Sequence, residues 1–256
     1  DVHGRLEGRG TTIELHDVRA GLLVDMPGPL PVQATVAHLA YRNGDIDVEE
    51  LIVEAPGTEL TVDGSLGDTF DLEVMVPRLH LDPLDPLAGD AGLTGHLTGS
   101  ARFLGSWSDA RCIVTIDGDH DEGGVRLRLG GDLTADVPTW SVEGELHELA
   151  VHRLVRSLQE GAPIVLDGDL DLAGSGTAWP VGLSGEGRYR GGTQALGGVS
   201  LDAIDLGVKV EGGAVYLADD SVLQGIVGEI RPTGWYDVVS GLVDVRAQGV
   251  LQPASL

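Results

Sequence analysis

The sequence predicts an all-β protein: an elongated, repetitive, mostly antiparallel sheet with one or two short helical segments. Three observations predict it. Apolar and polar residues alternate with a period of two in almost every segment. Glycine-containing turn pairs interrupt the alternation every ~8–12 residues. The pattern also recurs after seventy positions. Successive side chains on a strand point to opposite faces, so each strand has one apolar and one wet face.

Taken in chain order, residues 25–31 carry Pro27, Pro29 and Pro31 and read as a loop, the best candidate break in a chain without a domain-sized linker. Asn43-Gly44 and Asp63-Gly64 read as turns. Phe70, Leu72, Val74 and Val76 alternate with Asp71, Glu73 and Met75. Leu81-Asp82-Pro83-Leu84-Asp85-Pro86-Leu87 cannot be a central strand, since proline lacks the ladder N–H. Leu97, Gly99, Ala101 and Phe103 share a phase. Asp117-Gly118 and Glu122-Gly123-Gly124 bound a turn, after which Val125, Leu127 and Leu129 enclose Arg126 and Arg128. Residues 150–159 set Val151, Leu154, Val155 and Leu158 at helical spacing. This segment and 81–87 read as helical turns closing one end of the sheet. Ile164, Leu166, Leu170 and Leu172 alternate with Asp167, Asp169 and Asp171. Gly191-Gly192 and Glu211-Gly212-Gly213 are turns around the strand holding Leu206, Val208 and Val210, and Val243, Val245 and Ala247 form a last strand. The spacing implies about 18–22 strands.

The internal repeat covers about 60–105 and 127–174 within a single elongated unit, 1–256. Phe70-Asp71-Leu72-Glu73-Val74 falls on Trp140-Ser141-Val142-Glu143-Gly144, and Leu79, Leu81 and Leu84 fall on Leu149, Val151 and Leu154. Leu97-Thr98-Gly99 matches Leu166-Asp167-Gly168 nearby. Repeated alternating strands mean an extended sheet, not a globular enzyme with one pocket.

Composition narrows the function. The net charge is −25, which argues against nucleic acid, whose phosphates need Lys and Arg, and against adhesion to an anionic membrane. Aromatic residues are only 4 %, so Leu, Val, Ile and Ala must supply the apolar surface, while 39 Gly mark turns and bulges. The acidic residues read as a solvated face: Asp71, Asp167, Asp169, Asp171 and Asp205 are expected to face solvent and to be replaceable. With Cys112 as the single cysteine, no intrachain disulfide forms, and Cys112 reads as a small apolar strand residue. The chain starts at Asp1 and shows no basic-then-apolar leader, so it reads as a piece of a longer protein.

The catalytic inventory is thin, and the chain reads as neither an enzyme nor a cofactor protein. His147-Glu148 and His152 place two histidines five apart, where a zinc helix needs four. Asp117, Asp119 and Asp121 open like a calcium loop, but Glu122 stands where Gly is required and Arg128 where Glu is required. Gly185-Glu186-Gly187 lacks the third Gly of a dinucleotide fingerprint. No metal set emerges; the histidines are scattered and read as wet-face residues.

What remains is the apolar face. It can close on a partner sheet, stack as a solenoid, or curl into a trough around something apolar. Small inner residues such as Gly99, Ala101 and Gly168 favour curling. Leu97-x-Gly99-x-Ala101-x-Phe103-x-Gly105-Ser106-Trp107-x-Asp109 resembles the signature strand and turn of TamB and AsmA-like proteins. Leu166-x-Gly168-x-Leu170-x-Leu172-x-Gly174 with Trp179-Pro180 is similar, as are 77–84, 148–151 and 228–234. The resemblance runs from about residue 30 onward. One departure is Ala110 after Asp109, where the family often has Asp-Pro.

The resemblance implies a U-shaped trough with an apolar interior, a β-taco. Such a trough passes phospholipid between the inner and outer membranes of Gram-negative bacteria and aids outer-membrane assembly. It implies a periplasmic segment, tethered to the inner membrane and meeting an outer-membrane β-barrel through regions outside this chain. The expected partners are phospholipid acyl chains. The residues expected to line the groove are Phe70, Leu72, Val74, Leu97, Phe103, Leu127, Leu170, Leu172, Val208 and Val245. The alternative is a structural or adhesive β-solenoid of a bacterial surface protein, whose inward residues would touch across a dry core.

Overall fold

The computed structural model describes residues 2–9, 12–26, 28–83, 85, 92–118, 123–156, 159–161, 163–176, 181–196, 199–225 and 228–251. They form one eighteen-stranded sheet. Its strands are β1 (Val2–Arg9), β2 (Thr12–Met26), β3 (Gly28–Arg42), β4 (Asp45–Ala55), β5 (Thr58–Leu66) and β6 (Thr69–His80). There follow β7 (His96–Ser106), β8 (Asp109–Gly118), β9 (Gly124–Asp132), β10 (Thr139–Leu149), the short helix α1 (Val151–Leu154), β11 (Leu166–Gly176) and β12 (Leu183–Gly191). The last are β13 (Gln194–Leu196), β14 (Val199–Glu211), β15 (Ala214–Leu217), β16 (Val222–Gly225), β17 (Gly228–Asp237) and β18 (Val243–Leu251).

The topology is a meander in which every pairing is antiparallel. From β1 to β12 each strand pairs with the next in the chain. The thirteen-residue β14 is long enough to take two partners on each edge: β12 and β13 on one, β15 and β16 on the other. β15 and β16 are two pieces of one row, and both pair with β17. Their break is held by Ser221, fully buried, whose hydroxyl accepts from the Gly207 amide at 3.1 Å and lies 3.3 Å from the Gly207 carbonyl. It supplies the partner of the Gly207 amide, while the Gly207 carbonyl also accepts from Ala218 N–H at 2.8 Å.

Besides a register shift in β14 between Leu201 and Ala203, four irregularities interrupt the ladders, in β2, β4, β6 and β10. Each falls at two adjacent non-apolar residues between apolar ones: His16-Asp17, Glu49-Glu50, Pro77-Arg78 and His147-Glu148. The extra residue lets the apolar phase resume on the same face after the bulge. Asp17, Glu50 and Glu148 take positive φ there (49°, 51° and 46°), a strained region for a non-glycine residue. The Glu50 amide, released from the ladder, donates to Asp63 Oδ1 at 2.8 Å. The bulges at 76/79 and 146/149 stand seventy residues apart, at the same place in β6 and in β10.

Three expectations about local structure are corrected. Residues 28–31, read as loop, belong to β3: Pro29 and Pro31 pair with Asp25 and Leu23 of β2. β4 pairs only from Gln33 onward, so both prolines lie where β3 has a single partner and is an edge, the place in a sheet where proline is tolerated. Pro27 lies outside the described residues. Asp63-Gly64, read as a turn, is inside β5 opposite the β4 bulge. The helical reading of 150–159 shortens to α1, after which Val155 bridges Leu93.

The described parts of the two connectors, around Leu81 and 92–95 and around 150–156, meet at one end of the sheet. Thr94 N–H donates to the Leu154 carbonyl at 2.9 Å and Arg156 N–H to Gly92 at 2.7 Å. Arg156 also pairs with Asp82 at 3.3 Å, and Leu81 and Ala150 are buried beneath.

Otherwise little of the chain is enclosed. The accessible surface is 15387 Å². A compact monomer of 26.7 kDa exposes about 10,700 Å². Every substantial contact between elements is between neighbours along the sheet. The fold is elongated, and its apolar face carries no second layer among the described residues.

Candidate functional site

The ladder registers decide which residues share a face. One row crosses the whole sheet: Gly8, Ile13, Tyr41, Ile46, Leu66, Phe70, Gly105, Ala110, Gly131, Trp140, Gly174, Gly185, Val210, Val215, Tyr236 and Val243. None of them is charged. The next row runs Leu72, Phe103, Cys112, Leu129, Val142, Leu172, Gly187, Val208, Leu217, Gly234 and Val245. A third runs Val62, Val74, Ala101, Val114, Leu127, Gly144, Leu170, Tyr189 and Leu206. Leu97 lies on the same face opposite Leu79. All ten expected lining residues are therefore on one face, five of them in the second row.

The opposite face carries the charge. Asp71 takes a two-pronged contact from Arg102 at 3.1 and 3.2 Å, and Arg128 faces Glu143 at 4.0 Å. Arg188 is half-buried between Asp205 and Asp220, and those two hydrogen bonds, Asp205 first, raise its affinity for its proton. Asp71, Asp167, Asp169 and Asp171 are exposed, as expected. Asp205 is not: it is half-buried against Arg188, with Arg190 at 3.9 Å.

Within the uncharged face, the structure gathers some expected residues and separates others. Phe70, Leu72 and Phe103 line an open cavity of about 420 Å³ with Trp107, Cys112, Leu129, Leu133 and Trp140. Of its fourteen lining residues only Arg111 is charged, and Arg111 is tied to Asp109 at 2.8 Å. Phe70 meets Trp107 edge-on with centroids 5.3 Å apart. Trp107 is fixed from outside: its indole N–H donates to the Gly67 carbonyl at 3.0 Å, and its own carbonyl accepts from Leu133 N–H at 2.8 Å. The Trp140 indole N–H is buried without a hydrogen-bond partner. Burial pushes the Cys112 thiol up from its ordinary value.

Leu127 and Leu170 reach over Gly144 from either side; a β-carbon there would stand 3.0 Å from one and 3.2 Å from the other. Leu170 also joins a packed cluster around Tyr189, Leu201 and Ile204, with Leu146, Leu166, Leu206 and Leu223. Burial raises the Tyr189 phenol's affinity for its proton, and its hydroxyl donates to Gln194 at 3.0 Å. Val74, Leu97, Leu172 and Val208 are half-buried, and Val245 on β18 is 58 % exposed.

Several glycines of this face meet backbone. A β-carbon at Gly64 would overlap the Asp71 carbonyl, one at Gly131 that of Thr139, and one at Gly168 that of Arg190. The neighbouring strand leans across the uncharged side at each.

Trp107, Leu133 and Trp140 were not on the expected lining. Trp107 and Trp140 were visible in the signature turn and the repeat, but only the turn after β7 brings Trp107 to Phe70, and only the ladder row through Gly105, Ala110 and Gly131 puts Trp140 on the same line. His147 and His152 do not converge: His147 Nδ1 lies 3.8 Å from Asp167, and His152 Nδ1 pairs with the Ile164 backbone at 3.0 Å. Asp119 and Asp121 lie outside the described residues. Among the described residues, one other group could hold a cation, Glu14, His16 and His38 on the charged face. Among the described residues, no helix is long and apolar enough to cross a membrane. No family model, no curated protein and no solved structure matches the chain.

Proposed function

We propose that the uncharged face holds the acyl chains of phospholipid. The chain is then a segment of a trough that carries lipid between the inner and outer membranes of a Gram-negative envelope, as its resemblance to TamB and AsmA-like proteins implies. The observation that carries this reading is the row from Gly8 to Val243: sixteen rungs without a charge, with no layer above them among the described residues. A closed core would not leave such a strip half-exposed, and a soluble acidic protein with no apolar ligand gains nothing from it. The glycines at which neighbouring backbone leans over the face favour a sheet concave on that side. The cavity at Phe70 and Trp107 falls in the volume range of small-molecule pockets. Covering ~15 methylenes of one acyl chain is favourable by on the order of 12 kcal/mol at ~0.8 per CH₂. The charged face stays in water and keeps the trough soluble.

A charge on the path should stop it. An unpaired ammonium in an apolar lining costs several kcal/mol and draws water or a head group to the point where acyl chains must pass. The test is Leu72→Lys and Leu172→Lys, singly, against Met75→Lys, which sits on the opposite face of β6 at 48 % exposure. Native mass spectrometry of detergent-free protein is expected to find phospholipid on the parent chain and on Met75→Lys. Folded Leu72→Lys and Leu172→Lys should carry little or none. Equal lipid on the folded inward variants would place the path elsewhere.

The packed cluster around Ile204 favours a second reading for β11–β16, where the face closes on itself as in a structural solenoid. Under that reading Leu172→Lys unfolds instead of losing lipid, and circular dichroism separates the two.

A further inference from the structure

We propose that Glu14, His16, His38 and Glu49 form a divalent-cation site that clips β2, β3 and β4 together on the charged face. The ladder makes it. His16 stands directly opposite His38, and His38 directly opposite Glu49, while Glu14 lies two residues from His16 on the same side of β2. The two imidazoles lie nearly parallel, 18° apart, with centroids at 4.7 Å. His16 Nε2 is 3.7 Å from Glu14 Oε2, and His38 Nδ1 is 3.2 Å from Glu49 Oε2. Donor atoms of Glu14, His16 and His38 all fall within 4.8 Å of one another.

Tetrahedral zinc with bonds near 2.1 Å needs its donors about 3.4 Å apart; Glu14, His16 and His38 would draw in from within 4.8 Å of one another, and the exposed Glu49 side chain, which touches His38 alone, would swing in to complete the set. Two neutral imidazoles and two carboxylates balance the charge of a divalent ion. That mixture of nitrogen and oxygen suits Zn²⁺ better than the all-oxygen shells of Ca²⁺ or Mg²⁺. The bulges at Asp17 and Glu50 lie beside the cluster, so the ion would tie three strands where the ladder is weakest. One described cation competes: Arg42 holds Glu14 Oε1 at 3.3 Å. This site lies on the face away from the apolar rows and does not rest on the lipid reading.

The experiment is calorimetric titration of the metal-free chain with ZnCl₂, with X-ray absorption on the loaded protein. The expected result is one site of micromolar affinity or tighter, with two imidazole and two oxygen ligands. His16→Ala and His38→Ala should each weaken it at least about 10-fold, the lower end for loss of a supporting ligand contact. His147→Ala, a histidine beside an aspartate on the same face, should change nothing. Arg42→Gln should tighten binding by releasing Glu14. Zinc binding of undiminished strength in the His16→Ala/His38→Ala pair overturns the proposal, as does the absence of binding. If the variants fail to fold, the absorption spectrum of the unaltered chain decides: a shell without two imidazoles overturns it.

Discussion

The single thiol is a reporter built into the apolar rows. Cys112 lines the cavity beside Phe103 and Leu129, and burial disfavours its thiolate. Alkylation should therefore be slow at neutral pH and quicken only above the range of an ordinary thiol, with refolded and denatured protein compared side by side. The sign for stability follows. A thiol whose folded value is raised keeps its full contribution below the unfolded value, about 8.5, and loses it as the pH rises past that value. Alkylation at the free-thiol rate in folded protein would show that Cys112 is not in the apolar phase. Asp205 and Asp169 give a second contrast. Asp169 is exposed, and Asp169→Asn should stay within about 0.5 kcal/mol in chemical denaturation. Asp205→Asn removes the carboxylate that Arg188 grips and should lower the midpoint measurably more. Alternation assigns both residues to the wet face, but only the pairing of β12 with β14 shows that one of them is gripped.

At the scale of the strand, glycine decides where the sheet can bend. Gly168→Ala in β11 would drive a methyl into the Arg190 carbonyl, whereas Gly21→Ala in β2 has nothing within 4 Å. The first should destabilise by more than about 2 kcal/mol and the second by well under 1, read from urea midpoints. Similar losses at both sites would mean that the close approach is not real. Most strands were legible because an apolar phase survives any error in their ends. The bulges were not. Two adjacent polar residues, as in Glu49-Glu50, look like noise in a period-two pattern, and only the partner strand shows that the phase resumes. The His16–His38 pair was hidden for a related reason. The two residues are 22 positions apart, and the register that joins them is set by a hairpin read as a loop.

For the whole molecule, counting β13 with β12 and joining β15 to β16 leaves sixteen rungs. At ~4.8 Å per strand these extend over roughly 70 Å of sheet. A compact chain of 256 residues has a radius of gyration of about 18 Å. Small-angle scattering should return a clearly larger value with an asymmetric pair-distance distribution; a value near 18 Å would rule the elongated sheet out. The elongation was legible because the repeat implies linear stacking. The cavity was not, since it depends on Trp107 and Leu133, in two separate turns, meeting each other and Phe70 across neighbouring strands.

A meander whose strands bond almost only to their neighbours in sequence also has a modular length. Excising or duplicating one hairpin leaves every other ladder as it was and shifts the far end by about 10 Å, two strand spacings. Strands must enter or leave in pairs, because a single one would carry the following connectors to the other edge. Such a chain is a ruler graduated in hairpins. The length it spans can be reset by copying a segment of sequence, without a new contact having to arise anywhere else.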